Sequence, residues 1–123
     1  MRMLTVSRDL DAPADAVWSL LVDPTAWPDW GPTVAGVELA TRSVEPGSRG
    51  RVRTVVGVWL PFEITGWEPG RSWSWRIAGV PATTHTVRPT SAGGCAVTFG
   101  VPWWAPAYLP VCALALRRLE ALC

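Results

Sequence analysis

Apolar positions along this chain change rhythm three times. Leu4-Thr5-Val6-Ser7-Arg8-Asp9-Leu10 alternates well enough to predict a first strand. Pro13 then fits the first turn of a helix, where its missing N–H is not needed. Val17, Leu20 and Leu21 repeat at helical spacing, so this helix buries one face. Asp23-Pro24 ends it, because a residue before proline is pushed out of the helical region. A further short helical turn holds Trp27 and Trp30.

From Val34 the period is two. Strands are predicted over residues 34–40, 51–56 and 60–67, with Val52, Thr54 and Val56 sharing one face of the second. Glu45-Pro46-Gly47-Ser48 and Glu68-Pro69-Gly70 are turns by composition. Ser72-Trp73-Ser74-Trp75-Arg76-Ile77 is the cleanest alternation, with both tryptophans and Ile77 inward. Strands over residues 83–88 and 95–99 follow, joined by a hairpin turn at Ala92-Gly93-Gly94. The tail returns to helical spacing over residues 111–122. There Cys112, Leu116 and Leu119 form an apolar seam that Ala115 and Leu122 widen. Pro102, Pro106 and Pro110 cannot all lie inside one regular helix. Either the last helix starts near Pro110, or it starts near Pro106 and bends at Pro110, and the second is the arrangement expected.

The order is strand, two short helices, about six strands and a long helix. This is an α+β chain whose curved antiparallel sheet, of six to seven strands, must bury its concave face against something. The C-terminal helix is the only long element left to cover it. That arrangement is the helix-grip fold. A length of 123 residues suits one domain over residues 1–123.

Composition narrows the class. Hydrophobic residues at 49% against 17% charged exclude a disordered chain. A formal charge of +1, with no basic run beside aromatics, gives no reason to expect a nucleic-acid surface. Cys95, Cys112 and Cys123 are odd in number and lack CxxC spacing, which suits reduced thiols in a cytoplasm rather than a disulfide framework or a zinc site. Charges interrupt the first fifteen positions, so no signal peptide is expected, and no apolar run reaches the roughly 20 residues of a membrane span.

Four segments carry a resemblance: Ala12-Pro13-Ala14-Asp15-Ala16-Val17-Trp18, Trp27-Pro28-Asp29-Trp30, Val44-Glu45-Pro46-Gly47, and Gly66-Trp67-Glu68-Pro69-Gly70-Arg71-Ser72-Trp73. His85 in a threonine-rich strand, followed by Gly93-Gly94, is a looser match. Together these resemble the START-like superfamily, also called SRPBCC or polyketide cyclase/dehydrase-like proteins. The matches are fold markers and include no catalytic motif. The resemblance implies a cavity between sheet and C-terminal helix for one small hydrophobic, aromatic or cyclic ligand, with no cofactor. It equally admits a polyketide cyclase/aromatase-like enzyme acting on such a ligand, or a partner-binding module without one. Monomer and homodimer are both open.

His85 is the only histidine, and parity with Thr83 and Val87 puts it on the inward face. A neutral imidazole there could donate to a ligand carbonyl or move a proton near about pH 7, and is the candidate catalytic group. The plainer alternative is a core histidine bonded to backbone or to a threonine. Trp73 and Trp75 could wall a cavity or simply fill it. Trp30, Val56, Thr83, Val87, Phe99, Tyr108, Leu109, Cys112 and Leu116 complete the expected ligand-binding set. Trp103, Trp104 and Tyr108 are placed at the cavity mouth. They would serve as a lid or as an edge touching a membrane or carrier protein, or as ordinary packing. Glu63 would be an acid or base only if it faced inward, and Arg8 an anion contact only from inside. Cys112 lacks a local nucleophile signature and reads as a small buried hydrophobe. One histidine and scattered cysteines make no metal site, and Ala92-Gly93-Gly94 is not a phosphate loop.

Overall fold

The structure, a computed structural model, describes residues 3–123. Strand β1 (Met3–Leu10) leads into helix α1 (Ala14–Val22), a 3-10 turn (Pro24–Ala26) and the one-turn helix α2 (Trp27–Trp30). Six strands follow: β2 (Val34–Leu39), β3 (Arg49–Thr54), β4 (Trp59–Glu68), β5 (Ser72–Ile77), β6 (Val80–Pro89) and β7 (Cys95–Pro102). A second 3-10 turn (Pro106–Tyr108) then opens into α3 (Leu109–Leu122). The strands form one antiparallel sheet in the order β1-β7-β6-β5-β4-β3-β2, so the first and last strands are neighbours and β2 is a free edge.

One face of the sheet carries the core. Val52, Phe62, Ile64, Trp73, Trp75, His85, Val87, Val97 and Phe99 are all buried there. Helix α3 lies against β1 and β7 and covers its share with Cys112, Ala115, Leu116 and Leu119. Leu122 does not join that seam; it is 45% exposed at the last turn. Helices α1 and α2 close the rest, and the Trp-Pro-Asp-Trp segment explains how. Trp27 Nε1 donates to the Leu21 carbonyl at 2.9 Å and Trp30 Nε1 to the Leu20 carbonyl at 3.1 Å. Both indoles thus satisfy carbonyls at the end of α1, which a helix leaves without partners.

The elements run differently from the sequence expectation at several ends: β7 continues from Phe99 to Pro102, β3 starts at Arg49, and three further differences bear on the site. The last helix proper begins at Leu109 with Pro110 in its first turn, and the Pro106 segment is only a 3-10 turn before it. Proline is tolerated at that first turn, so the alternative start near Pro110 is the closer one. β3 stops at Thr54, and Val55 to Gly57 form the turn to β4. Val56 therefore projects into solvent, 81% exposed, and is not an inward position. β6 begins three residues before the expected start, because a tight turn at Ala78-Gly79, both at positive φ, sets Val80 opposite Ile77.

Candidate functional site

The middle of the concave face is an aromatic stack with one polar thread. Trp27 lies flat on Trp73 (5.3 Å between ring centres, 15°), and His85 lies on the same indole (3.9 Å, 24°). Phe99 and Trp75 meet the imidazole edge-on. β6 carries one extra residue opposite Trp75, where its register against β5 shifts. At this bulge Thr83 Oγ1 accepts from Trp75 Nε1 at 2.9 Å and lies 3.0 Å from His85 Nε2. The Trp73 carbonyl beside the other ring nitrogen can only accept, so Nε2 is the unprotonated nitrogen and takes the Thr83 hydroxyl proton. The imidazole proton then sits on Nδ1, 3.3 Å from the Trp73 carbonyl that accepts it. Burial pushes the His85 pKa down to about 3, and the bond to the Trp73 carbonyl offsets this only in part. The imidazole is neutral near pH 7, with both nitrogens engaged. Held so far below its ordinary pKa, the imidazole is poorly matched to carrying a proton near that pH.

Three voids meet above this stack, and Trp75 and Tyr108 border all of them. The outer cleft is apolar, about 240 Å³, between Ile77, Ala82, Val101, Pro102 and Trp104. A second, about 230 Å³, lies toward β3 between Val34, Val52 and Leu60. Between them an inner cavity of about 40 Å³ reaches Trp73, His85, Phe99 and Cys112. The hydroxyls of Tyr108 and Thr33, 2.7 Å apart, bridge the 3-10 turn before α3 to the loop before β2. Burial raises the Tyr108 pKa, and the Thr33 bond partly offsets it. Trp73 lines the inner cavity, and its Nε1 is buried with no hydrogen-bond partner. Buried donors are nearly always paired, so this one is an unmet demand for an acceptor.

Of the expected ligand-binding residues, Trp30, Trp73, Trp75, Thr83, His85, Phe99, Tyr108 and Cys112 border these voids. Val87 and Leu116 lie instead in the closed core, 0% and 1% exposed. Leu109 is half-buried against the core and borders none of the three voids. Cys112 is buried, and its thiol is pushed up to about 11, unsuited to a thiolate nucleophile. Glu63 pairs with Arg49 on the outer face at 3.0 Å. Arg8, on the edge strand β1, pairs with Glu120 of α3 at 2.7 Å, which raises its pKa through that hydrogen bond and charge. Neither reaches the voids. Thr33, Val34, Ala82 and Val101 are not in the expected set: Thr33 lies in the loop before β2, Val34 at its first residue, Ala82 at the β6 bulge, and Val101 on β7 past Phe99, where the expected strand stops. A larger groove of about 700 Å³ runs between α1 and the β2–β3 loop, but polar side chains such as Asp23, Thr25 and Arg42 line it.

A family model described as "Polyketide cyclase / dehydrase and lipid transport" matches residues 1–120. The chain belongs to this family. Among solved structures, the polyketide cyclase/dehydrase chain is similar to protein MLL2253 from Mesorhizobium loti (18% identity, 98% of this chain and 96% of that one, TM-score 0.78). It is also similar to XoxI from Bacillus cereus (17%, 99% and 95%, TM-score 0.75) and to CV1439 from Chromobacterium violaceum (22%, 99% and 97%, TM-score 0.70). At these identities the likeness carries the fold. No curated protein matches. No helix among the described residues is long and apolar enough to cross a membrane.

Proposed function

We propose that this member of the polyketide cyclase/dehydrase family binds one small apolar molecule, aromatic or cyclic, in the clefts that Trp75 and Tyr108 divide. The observation that carries the reading is the outer cleft of about 240 Å³, walled by apolar side chains and three aromatic ones, Trp75, Trp104 and Tyr108. A cavity of about 150 Å³ is enough to hold benzene, so this space suits a molecule of one or two rings. An oxygen on that molecule, lodged beside the inner cavity, would give the buried Trp73 Nε1 its acceptor. The driving force is burial of the ligand's apolar area, at roughly 25 cal/mol per Å². The enzyme alternative loses its proton carrier with His85 held neutral and doubly bonded, so binding without turnover is the reading adopted. Three free cysteines support a cytoplasmic setting.

The test is a calorimetric titration with naphthol-sized aromatic alcohols and ketones. Wild type should bind at one saturable site, and Ala82→Phe, which fills the outer cleft from a half-buried strand position, should abolish the heat while leaving the melting temperature close to wild type. Heat that survives Ala82→Phe would place the ligand elsewhere. No saturation by any compound would favour a module that meets a partner without a ligand.

A further inference from the structure

Hydrophobic exposure on this molecule is concentrated at one end of the sheet. Register fixes the geometry: Phe62 pairs with Ile77, so the β3–β4 turn and the β5–β6 turn project from the same end. Thr84 pairs with Gly100, which brings the end of β7 and the Trp103-Trp104 loop there too. Eight of the ten large apolar side chains exposed among the described residues lie at this end. They include Val55, Val56 and Val58 on one turn, Val80 on the next, and Trp103 and Trp104 on the third segment. The outer cleft opens among them, since Val80, Ala82 and Trp104 line it.

The charge pattern sorts the possible occupants. No Asp, Glu, Lys or Arg occurs in residues 54–62, 77–87 or 98–116. Just behind the tips stand Arg53, opposite Trp59, and Arg76, opposite Pro81, both exposed. Among the described residues neither forms an ion pair, whereas Arg51 is paired with Glu38. Uncharged tips bearing tryptophan, backed by guanidinium groups that have no carboxylate partner among the described residues, one of them (Arg53) 5.9 Å from the Trp59 ring centre, match the two zones of an anionic lipid surface. Indoles and valines fit the boundary of the acyl region, and cations fit the headgroup phosphates. A second copy fits worse, because it would set Arg53 and Arg76 against their own kind with no carboxylate on the three segments to meet them.

We propose that this end docks on the surface of an anionic bilayer, with the β3–β4 turn, Val80 and Trp103-Trp104 entering the interface and Arg53 and Arg76 on the phosphates. The docking goes beyond ligand binding, since it requires nothing in the clefts; it would let an apolar molecule pass between bilayer and cleft without crossing water.

The test is co-sedimentation of the full chain with vesicles of phosphatidylcholine alone or mixed with phosphatidylglycerol. Binding is expected to the mixed vesicles, weaker to the neutral ones, and to weaken with added salt. Val56→Asp, Trp103→Ser with Trp104→Ser, and Arg53→Gln with Arg76→Gln should each lose most of the bound fraction, with circular dichroism unchanged. Leu122→Ser, an exposed residue at the far end of α3, should bind as wild type does. The proposal is overturned if wild type stays in the supernatant with both vesicles, or if Leu122→Ser loses as much as the tip variants. It is also overturned if, without vesicles, light scattering shows a dimer that the tip variants split, which would give this end to a second copy. Because the assay contains no aromatic ligand, its failure leaves the cleft reading standing.

Discussion

Four aromatic side chains surround the imidazole of His85, and both its nitrogens are bonded within the protein. That burial has a measurable cost in acid. The group protonates at about 3 in the folded chain, against about 6.5 when unfolded. The unfolded chain therefore takes up the proton first as pH falls. The contribution from neutral His85 is complete above about pH 6.5 and is lost as pH drops toward 3, by roughly 2 kcal/mol at about pH 5. His85→Phe should keep the stacking on Trp73 and remove this dependence. Urea unfolding at about pH 7 and about pH 5 should show wild type losing more stability than the variant between the two, by an amount of that order. An equal loss in both would mean that the imidazole titrates normally and is not sealed.

At the scale of elements, the β5–β6 turn is the place where local chemistry conflicts with the fold. Ala78 sits at φ 51°, a left-handed conformation that a side chain at Cβ disfavours. Asparagine is far better suited to that position of a tight hairpin turn, so Ala78→Asn should stabilise the chain by about 1 kcal/mol. The check is an upward shift of the urea midpoint with an unchanged slope. The same turn shows what could be read from the sequence. Alternation at Trp73, Trp75 and Ile77 settled which face is inward, since period two leaves no other assignment. Ala78-Gly79 lacks the Asn-Gly or Asp-Gly pair that announces a two-residue turn, so the start of β6 was set too late. Extending that same period past Thr54 puts Val56 inward, but those residues turn instead. The bulge at Thr83 was invisible for a different reason: an extra residue in a strand shows itself only against its partner. The helix start was ambiguous because a first-turn proline fits both candidates.

For the whole molecule, the order of elements was enough to foresee a curved sheet closed by the last helix, and the family match is consistent with it. The amount of free space was not legible. Nine tryptophans can fill such an interior or wall a cavity in it, and composition alone does not say which. In the fold they divide the work. Trp27 and Trp73 are buried and wall the inner cavity, Trp75 and Trp104 border the outer cleft, and Trp103 stands out in solvent. Trp18 and Trp67 form a separate edge-to-face pair, 5.5 Å apart, that borders none of the three voids. That partition makes the indole N–H groups site-resolved reporters of binding. The most direct measurement is a nitrogen–proton correlation spectrum of those nine groups during titration with an aromatic ketone. Ligand binding in the clefts requires the Trp75 and Trp104 signals to move together to saturation and the Trp73 signal to shift as its N–H gains an acceptor, while Trp18 and Trp67 stay in place. Movement of Trp103 alone, or of no indole at all, would contradict a ligand in the clefts.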